Sequence, residues 1–153
     1  MTVIQNPSAL TLAVLGTTAS KAYTPLVVET KTLFTVSGLC IITSIVGKVT
    51  TAITVANTIK LQANPTTGTT QDLCAATDLG TTDTPAGDLI TIAGAAATAP
   101  VVGIGAVPVM ATANAIAIDA GTIEQVTATG ADGGITWYIT YVPIVTGATI
   151  VAA

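Results

Sequence analysis

The stretch that most constrains the fold is residues 133–143, with the sequence GGITWYITYVP. It holds three of the five aromatic residues of the chain, including the only Trp. With the two-residue period of a β-strand, one face carries Ile135, Trp137, Ile139 and Tyr141, and the other carries Thr136, Tyr138, Thr140 and Val142. Because both faces are bulky or β-branched, the pattern predicts a strand that is central in a sheet, or divided between core and subunit contact.

The two faces of this strand predict two kinds of residue. We expect Trp137 and Tyr141 to be core anchors, together with Phe34 from an earlier strand, because aromatic side chains bury large areas. Tyr138, on the opposite face, is a candidate subunit or ligand contact, as Tyr often is at interfaces. The alternative is that the whole strand is core and that contacts lie elsewhere.

The rest of the chain predicts an all-β fold. It is rich in Val, Ile and Thr and holds 14 Gly, a composition that favours short strands joined by tight turns. About nine or ten strands follow one another at a spacing typical of sandwiches and barrels. No helical period is present, which disfavours alternating strands and helices. We therefore predict an antiparallel β-sandwich, jelly-roll-like, in preference to a closed barrel.

Two local predictions concern residues 32–55. The strand-like run 32–36 and the run 39–46 are separated by Ser37 and Gly38, which is a hairpin signal. Gly47 then interrupts a long strand, and a Gly in that position often marks a bulge or bend.

The chain divides into an N-terminal segment, residues 1–25, and a single β-sandwich domain, residues 26–153. The segment has no clean period and is predicted to be an extended arm or an edge strand; the alternative is an ordinary first strand followed by a loop. As an arm it would lie on neighbouring subunits. Its candidate assembly contacts are apolar: Val3, Ile4, Leu10, Leu12 and Leu15.

Only 8% of the residues are charged, against about 25% in an ordinary soluble domain. A surface this poor in charge favours a protein that is covered by other subunits. The alternative is a monomer with a wet, Thr- and Ser-rich surface. The net charge of −4 and the lack of a basic cluster argue against nucleic-acid binding.

Neither a membrane nor a secretory role is expected. Residues 89–118 carry no charge, but they contain Gly, Pro and Asn and have no flanking basic residue to anchor a span. No Lys or Arg precedes Lys21, so the positive start of a secretory signal is missing. We expect synthesis in a cytoplasm.

The sequence offers little for catalysis. It has no His and no Arg, which excludes the usual Ser-His and Cys-His pairs and the bidentate anion clamp. We expect no enzyme activity, no metal and no cofactor. Cys40 and Cys74 are expected to be buried reduced thiols, with a disulfide as the alternative. The carboxylates of Asp78, Asp83 and Asp88 are expected to be solvated loop groups that cap turns; the alternative is a Ca²⁺ site.

Three patches resemble small structural proteins of tailed bacteriophages. They are residues 31–38 (KTLFTVSG), 60–70 (KLQANPTTGTT) and 135–143 (ITWYITYVP), the last followed by Thr146, Gly147 and Ala148. The resemblance implies a virion component on the capsid exterior, namely a capsid decoration (cement) protein. It implies homo-oligomers, with a trimer favoured, and the major capsid protein as partner. The alternative is a head-fibre or tail-associated module that binds host glycan.

Overall fold

The structure is a computed structural model that describes residues 16–108, 114–130 and 132–153. Its regular elements are twelve β-strands, against the nine or ten expected. The additional strands are short ones, which have too few residues to show a period. The strands are β1 (Thr17–Tyr23), β2 (Thr30–Ser37), β3 (Cys40–Thr51), β4 (Thr58–Pro65), β5 (Gln71–Asp72), β6 (Thr77–Asp78), β7 (Asp88–Thr91), β8 (Val101–Ile104), β9 (Ile116–Ile118), β10 (Gly121–Thr127), β11 (Gly134–Pro143) and β12 (Thr149–Ala152).

The strands form two antiparallel six-stranded sheets that pack face to face. Sheet A has the order β1-β11-β3-β7-β8, with β9 also paired to β3. Sheet B has the order β12-β2-β10-β4-β5, with β6 also paired to β4. The predicted all-β class and antiparallel sandwich are confirmed, whereas the jelly-roll connectivity stays a prediction. No helix of the described residues is long and apolar enough to cross a membrane.

The stretch 17–23 is an edge strand of sheet A. It pairs with β11 over seven consecutive residues, from Thr17 opposite Tyr141 to Tyr23 opposite Ile135. Tyr23 is buried in the same core as the rest of the sandwich. The arm contacts expected at Val3, Ile4, Leu10, Leu12 and Leu15 lie outside the described residues.

The hairpin predicted at Ser37 and Gly38 is wrong. β2 pairs with β10 and β12 in sheet B, whereas β3 pairs with β11, β7 and β9 in sheet A. The link is therefore a corner at which the chain changes sheets. Gly38 has a φ of 84°, a conformation that Gly adopts without strain. A hairpin and a corner both use such a Gly, so the local signal does not distinguish them.

The bulge predicted at Gly47 is also wrong. Gly47 lies in regular register between Trp137 of β11 and Ile90 of β7. A Cβ atom on Gly47 would come within 2.8 Å of Cζ3 of the Trp137 ring. Gly47 thus makes room for the indole to lie across β3. The register shifts of this ladder occur instead beside Ile135 and Tyr141.

A buried hydrogen bond joins the two sheets through the core. Trp137 of sheet A donates from Nε1 to Oε1 of Gln125 in sheet B at 2.8 Å, and Gln125 donates from Nε2 to Oγ1 of Thr127 at 3.0 Å. Trp137, Gln125 and Phe34 are fully buried, and Tyr141 is 4% exposed. A buried amide needs such partners because an unpaired one is costly.

We expect Trp137→Ala to reduce the free energy of unfolding by about 3–5 kcal/mol, because it removes a buried aromatic and leaves a cavity. Gly47→Ala should reduce it by about 1–3 kcal/mol, since the new methyl group collides with the indole. Urea denaturation followed by circular dichroism measures both. A loss of less than about 1 kcal/mol for Trp137→Ala would contradict the central position of the indole.

Candidate interaction surface

The outer face of sheet A is a broad surface that is nearly free of charge. Its strands alternate between buried and more exposed residues, so every second side chain points away from the core. The outward residues of the three adjacent strands are Thr18, Ser20 and Ala22 of β1, Thr136, Tyr138 and Thr140 of β11, and Ser44, Val46 and Lys48 of β3. Lys48 carries the single charge among these nine residues, so contact with this surface would desolvate few charged groups.

Tyr138 is the largest of the nine outward side chains on this face. It is 46% exposed, and its partners in register are Ser20 on β1 and Val46 on β3, both smaller. The ring therefore stands above its neighbours. The structure places Trp137 and Tyr141 on the buried side of the same strand, so the two faces of β11 differ as the alternation predicts.

Further exposed apolar side chains lie at loops and edges. They are Val27, Val28, Val55, Val101, Ile104, Ile144, Val145 and Val151. None of them is among the residues that the sequence predicts to make contacts. The exposure of Ile144 and Val145 is predictable from the sequence, because an apolar pair between Pro143 and the turn at Thr146 and Gly147 belongs to no strand that would bury it. Ile104, at the end of edge strand β8, is 81% exposed.

A cavity of about 400 Å³ opens on the side of the sandwich where β1 meets β2. We call it the lysine pocket; it is lined by Lys21, Ala22, Tyr23, Thr24, Pro25, Val27, Glu29 and Lys31. Lys31 Nζ lies 3.5 Å from Oε1 of Glu29 and 5.6 Å from the centre of the Tyr23 ring. Lys21 donates a hydrogen bond to the carbonyl oxygen of Ala153.

Tyr23 is the aromatic residue that lines the lysine pocket. Its hydroxyl accepts a hydrogen bond from the Val27 N–H at 3.1 Å and lies 3.0 Å from both the Val27 carbonyl and the Glu29 carboxylate. Burial raises the pKa of this hydroxyl, and the adjacent carboxylate adds to the shift. No local sequence pattern predicts this pocket, because Lys21 and Lys31 lie on strands of different sheets.

The three aspartates considered for Ca²⁺ have different environments. Asp78 accepts hydrogen bonds from the N–H groups of Gly80 and Thr81, at 2.9 and 3.0 Å, and from the Thr81 hydroxyl. These bonds cap a turn and lower the pKa of Asp78 to about 2. Asp83 is exposed in a loop, whereas Asp88 is buried in β7. Among the described residues, no group of three or more potential metal ligands comes together.

Hydrogen bonds hold the carboxylate of Glu124 in place on sheet B. Glu124, on the outer face of sheet B, accepts hydrogen bonds from Gln62, Asn64 and Thr122. Burial alone would raise the pKa of Glu124, but these bonds outweigh it and the pKa is lowered.

Cys40 and Cys74 are free and buried thiols, as expected, and burial raises the pKa of both.

Comparisons of this chain with protein-family models, with curated proteins and with solved structures find no match. Two surface features of the sandwich bear on function. One is the outer face of sheet A, which has a single charge at Lys48 and one projecting Tyr, and the other is the lysine pocket at the side. The composition of the sheet face is that of a protein contact.

We expect the capping of Asp78 to stabilise the protein in a pH-dependent way. The folded-state pKa of about 2 lies below the ordinary value of 3.8, so the contribution is present above pH 3.8 and is lost as the pH falls towards 2. Asp78→Asn should therefore lower stability at pH 7, and its difference from wild type should shrink over that acidic range. Urea titrations at several pH values measure this, with Asp83→Asn as control. A difference independent of pH would refute the capping role.

Proposed function

We propose that this chain is a non-enzymatic structural protein of a phage particle, a capsid decoration protein that binds and stabilises the lattice of the major capsid protein. The observation that carries the proposal is the outer face of sheet A, which presents Tyr138 above small side chains and carries a single charge, at Lys48. Interfaces are enriched in Tyr and depleted of charge at their centres, and this face has both properties. The sequence resemblance to small phage structural proteins supports the same conclusion.

The low charge of the chain fits this role. Apart from Lys48, this face carries Ser, Thr, Ala, Val and Tyr side chains, so packing it against a protein lattice would desolvate only one charged group, and desolvation of charge is a costly step in forming an interface. The two-sheet sandwich gives the face a rigid support, because Ile135, Trp137 and Ile139 on its inner side are fully buried. A decoration protein needs such a preformed surface to bind many equivalent sites.

The alternative, a head-fibre or tail-associated module that binds host glycan, has less support. Glycan binding through stacking uses exposed aromatic rings, and Tyr23, Phe34, Trp137 and Tyr141 are all buried. Tyr138 is the single exposed aromatic of the chain, and it stands on a sheet face rather than in a groove.

Tyr138→Glu should leave the fold intact and reduce the number of copies bound to capsids, because it places a charge at the centre of the proposed contact. Copy number is measured by gel densitometry of purified particles, relative to the major capsid protein. Thr35→Glu, which adds the same charge to an exposed site of β2 in sheet B, is the control. If Tyr138→Glu bound as many copies as the control, the outer face of sheet A would not be the capsid-binding surface.

A truncation tests the role proposed for the N-terminal segment. Removing residues 1–20 would delete Thr17 to Ser20, which pair with β11, so the deletion should stop at residue 15. We expect the chain without residues 1–15 to keep its circular dichroism spectrum and melting temperature but to be lost from capsids. Full copy number on particles would show that Val3, Ile4, Leu10, Leu12 and Leu15 are dispensable for attachment.

A further inference from the structure

The two lysines of the lysine pocket belong to the inner faces of the two sheets. Lys21 of β1 is opposite Trp137 in the register of sheet A, and Lys31 of β2 is opposite Gln125 in sheet B. Residues opposite each other on neighbouring strands lie on the same face of a sheet, and both Trp137 and Gln125 are fully buried in the core. Both lysines are half-buried as a result, whereas Lys48 on the outer face of sheet A is exposed.

The pocket lies beside the hydrogen bond that joins the two sheets. Trp137 donates to Gln125 at 2.8 Å, and Gln125 donates to the Thr127 hydroxyl at 3.0 Å. Burial raises the pKa of Tyr23, and the Thr127 hydroxyl, a donor beside the Tyr23 oxygen, acts in the opposite direction. A series of polar contacts therefore runs from the buried indole N–H to the aromatic residue of the pocket.

The pocket has more ammonium groups than carboxylates. Among the described residues that line it, the side chains supply two positive charges and one negative charge, that of Glu29. Glu29 Oε1 lies 3.0 Å from the Tyr23 hydroxyl and 3.5 Å from Lys31 Nζ, and Lys21 donates to the carbonyl oxygen of Ala153. Because an ammonium group has three donors, each lysine keeps donors for a further acceptor.

The other walls of the pocket are mainly apolar. Ala22, Pro25 and Val27 line it beside the Tyr23 ring, and Val27 is 38% exposed. The volume of about 400 Å³ lies in the range of roughly 300–1,000 Å³ that is typical of ligand sites. A ligand suited to these walls has one negative charge and a small apolar part. A dianion such as phosphate is less suitable, because Glu29 repels a second negative charge.

We propose that the lysine pocket binds a carboxylate on a short apolar stem, with Lys21 and Lys31 contacting the carboxylate and Val27 contacting the stem. The bound carboxylate gives two partly desolvated ammonium groups a further counter-charge. A free short-chain carboxylic acid and a Glu side chain of a partner protein share this chemistry, because the Glu side chain is a propionate group. The site is separate from the outer face of sheet A, so the proposal goes beyond the capsid role and does not depend on it.

Propionate is the probe, and its binding is measured by NMR titration of the ¹⁵N-labelled full chain at constant ionic strength. We expect saturable shifts of the amide signals of Ala22 and Val27 with a Kd of about 1–10 mM, which a ligand of so few atoms can reach. The indole signal of Trp137, the only Trp, should shift with the same Kd, which separates binding in the pocket from binding to an exposed lysine. Propionamide, similar in shape but uncharged, should shift none of them.

Charge-neutralising variants separate a binding site from a purely structural cluster. Lys21→Gln and Lys31→Gln should each weaken propionate binding by about fivefold or more, because each removes an ammonium group that contacts the carboxylate. Glu29→Gln should tighten it by about threefold, because it removes a repelling charge and keeps an acceptor for the Tyr23 hydroxyl. Lys48→Gln removes the same charge from the outer face of sheet A and should bind like wild type. Circular dichroism checks the folding of each variant; if one lysine variant unfolds, the other and Glu29→Gln decide.

A blocked Gly-Glu-Gly peptide and its Gln counterpart tell the two sources of the carboxylate apart. Shifts of the same signals by the Glu peptide alone would indicate a partner's side chain, whereas binding of propionate without the Glu peptide would indicate a free acid. The inference is overturned if propionate up to about 50 mM shifts these signals no more than propionamide, if inorganic phosphate binds more tightly than propionate, or if Glu29→Gln weakens binding. The inward lysines would then only protect the edge strand β1 from pairing with other chains.

Discussion

The packing of one indole determines how the two sheets fit together. Trp137 lies over Gly47 within sheet A and donates its N–H to Gln125 of sheet B. The indole needs the space that Gly47 leaves on β3 and the acceptor that Gln125 supplies from sheet B. The packing of one side chain therefore constrains three positions that are far apart in sequence. Sandwiches with aliphatic cores can slide by small steps, because dispersion contacts have no direction. A directional bond in the centre of the core limits such sliding and fixes one alignment of the sheets.

The same alignment determines the shape of the two surfaces described above, the outer face of sheet A and the lysine pocket. The buried side of β11 holds Trp137, so its other side presents Tyr138 at a fixed height above sheet A. The same alignment brings β1 beside β2 and so forms the lysine pocket from strands of different sheets. The outer face of sheet A, proposed as the capsid-binding surface, and the lysine pocket therefore lie on separate parts of the subunit, one on a sheet face and one at the side of the sandwich.

Much of this architecture follows from local sequence patterns, and the failures have physical causes. The division of β11 into a buried and an exposed face follows from the two-residue period alone. The local pattern at Gly38 predicts a hairpin where the chain forms a corner, because a Gly with positive φ serves either purpose and the choice depends on distant strands. The pattern at Gly47 predicts a bulge, because the Trp137 ring that explains this Gly lies on another strand. The lysine pocket depends on the pairing of both sheets, which no short segment encodes.

The pairing of the first strand has a consequence for synthesis. Among the described residues, β1 has a single sheet partner, β11, which is the eleventh of the twelve strands, and Lys21 also contacts Ala153. Contacts between residues so distant in sequence form slowly, because a long loop must close before they give any stabilisation. During translation β1 therefore waits for this pairing until residues 134–143 have emerged. A product that terminates before β11 leaves the pairing edges of β1 and β3 open and is prone to aggregation.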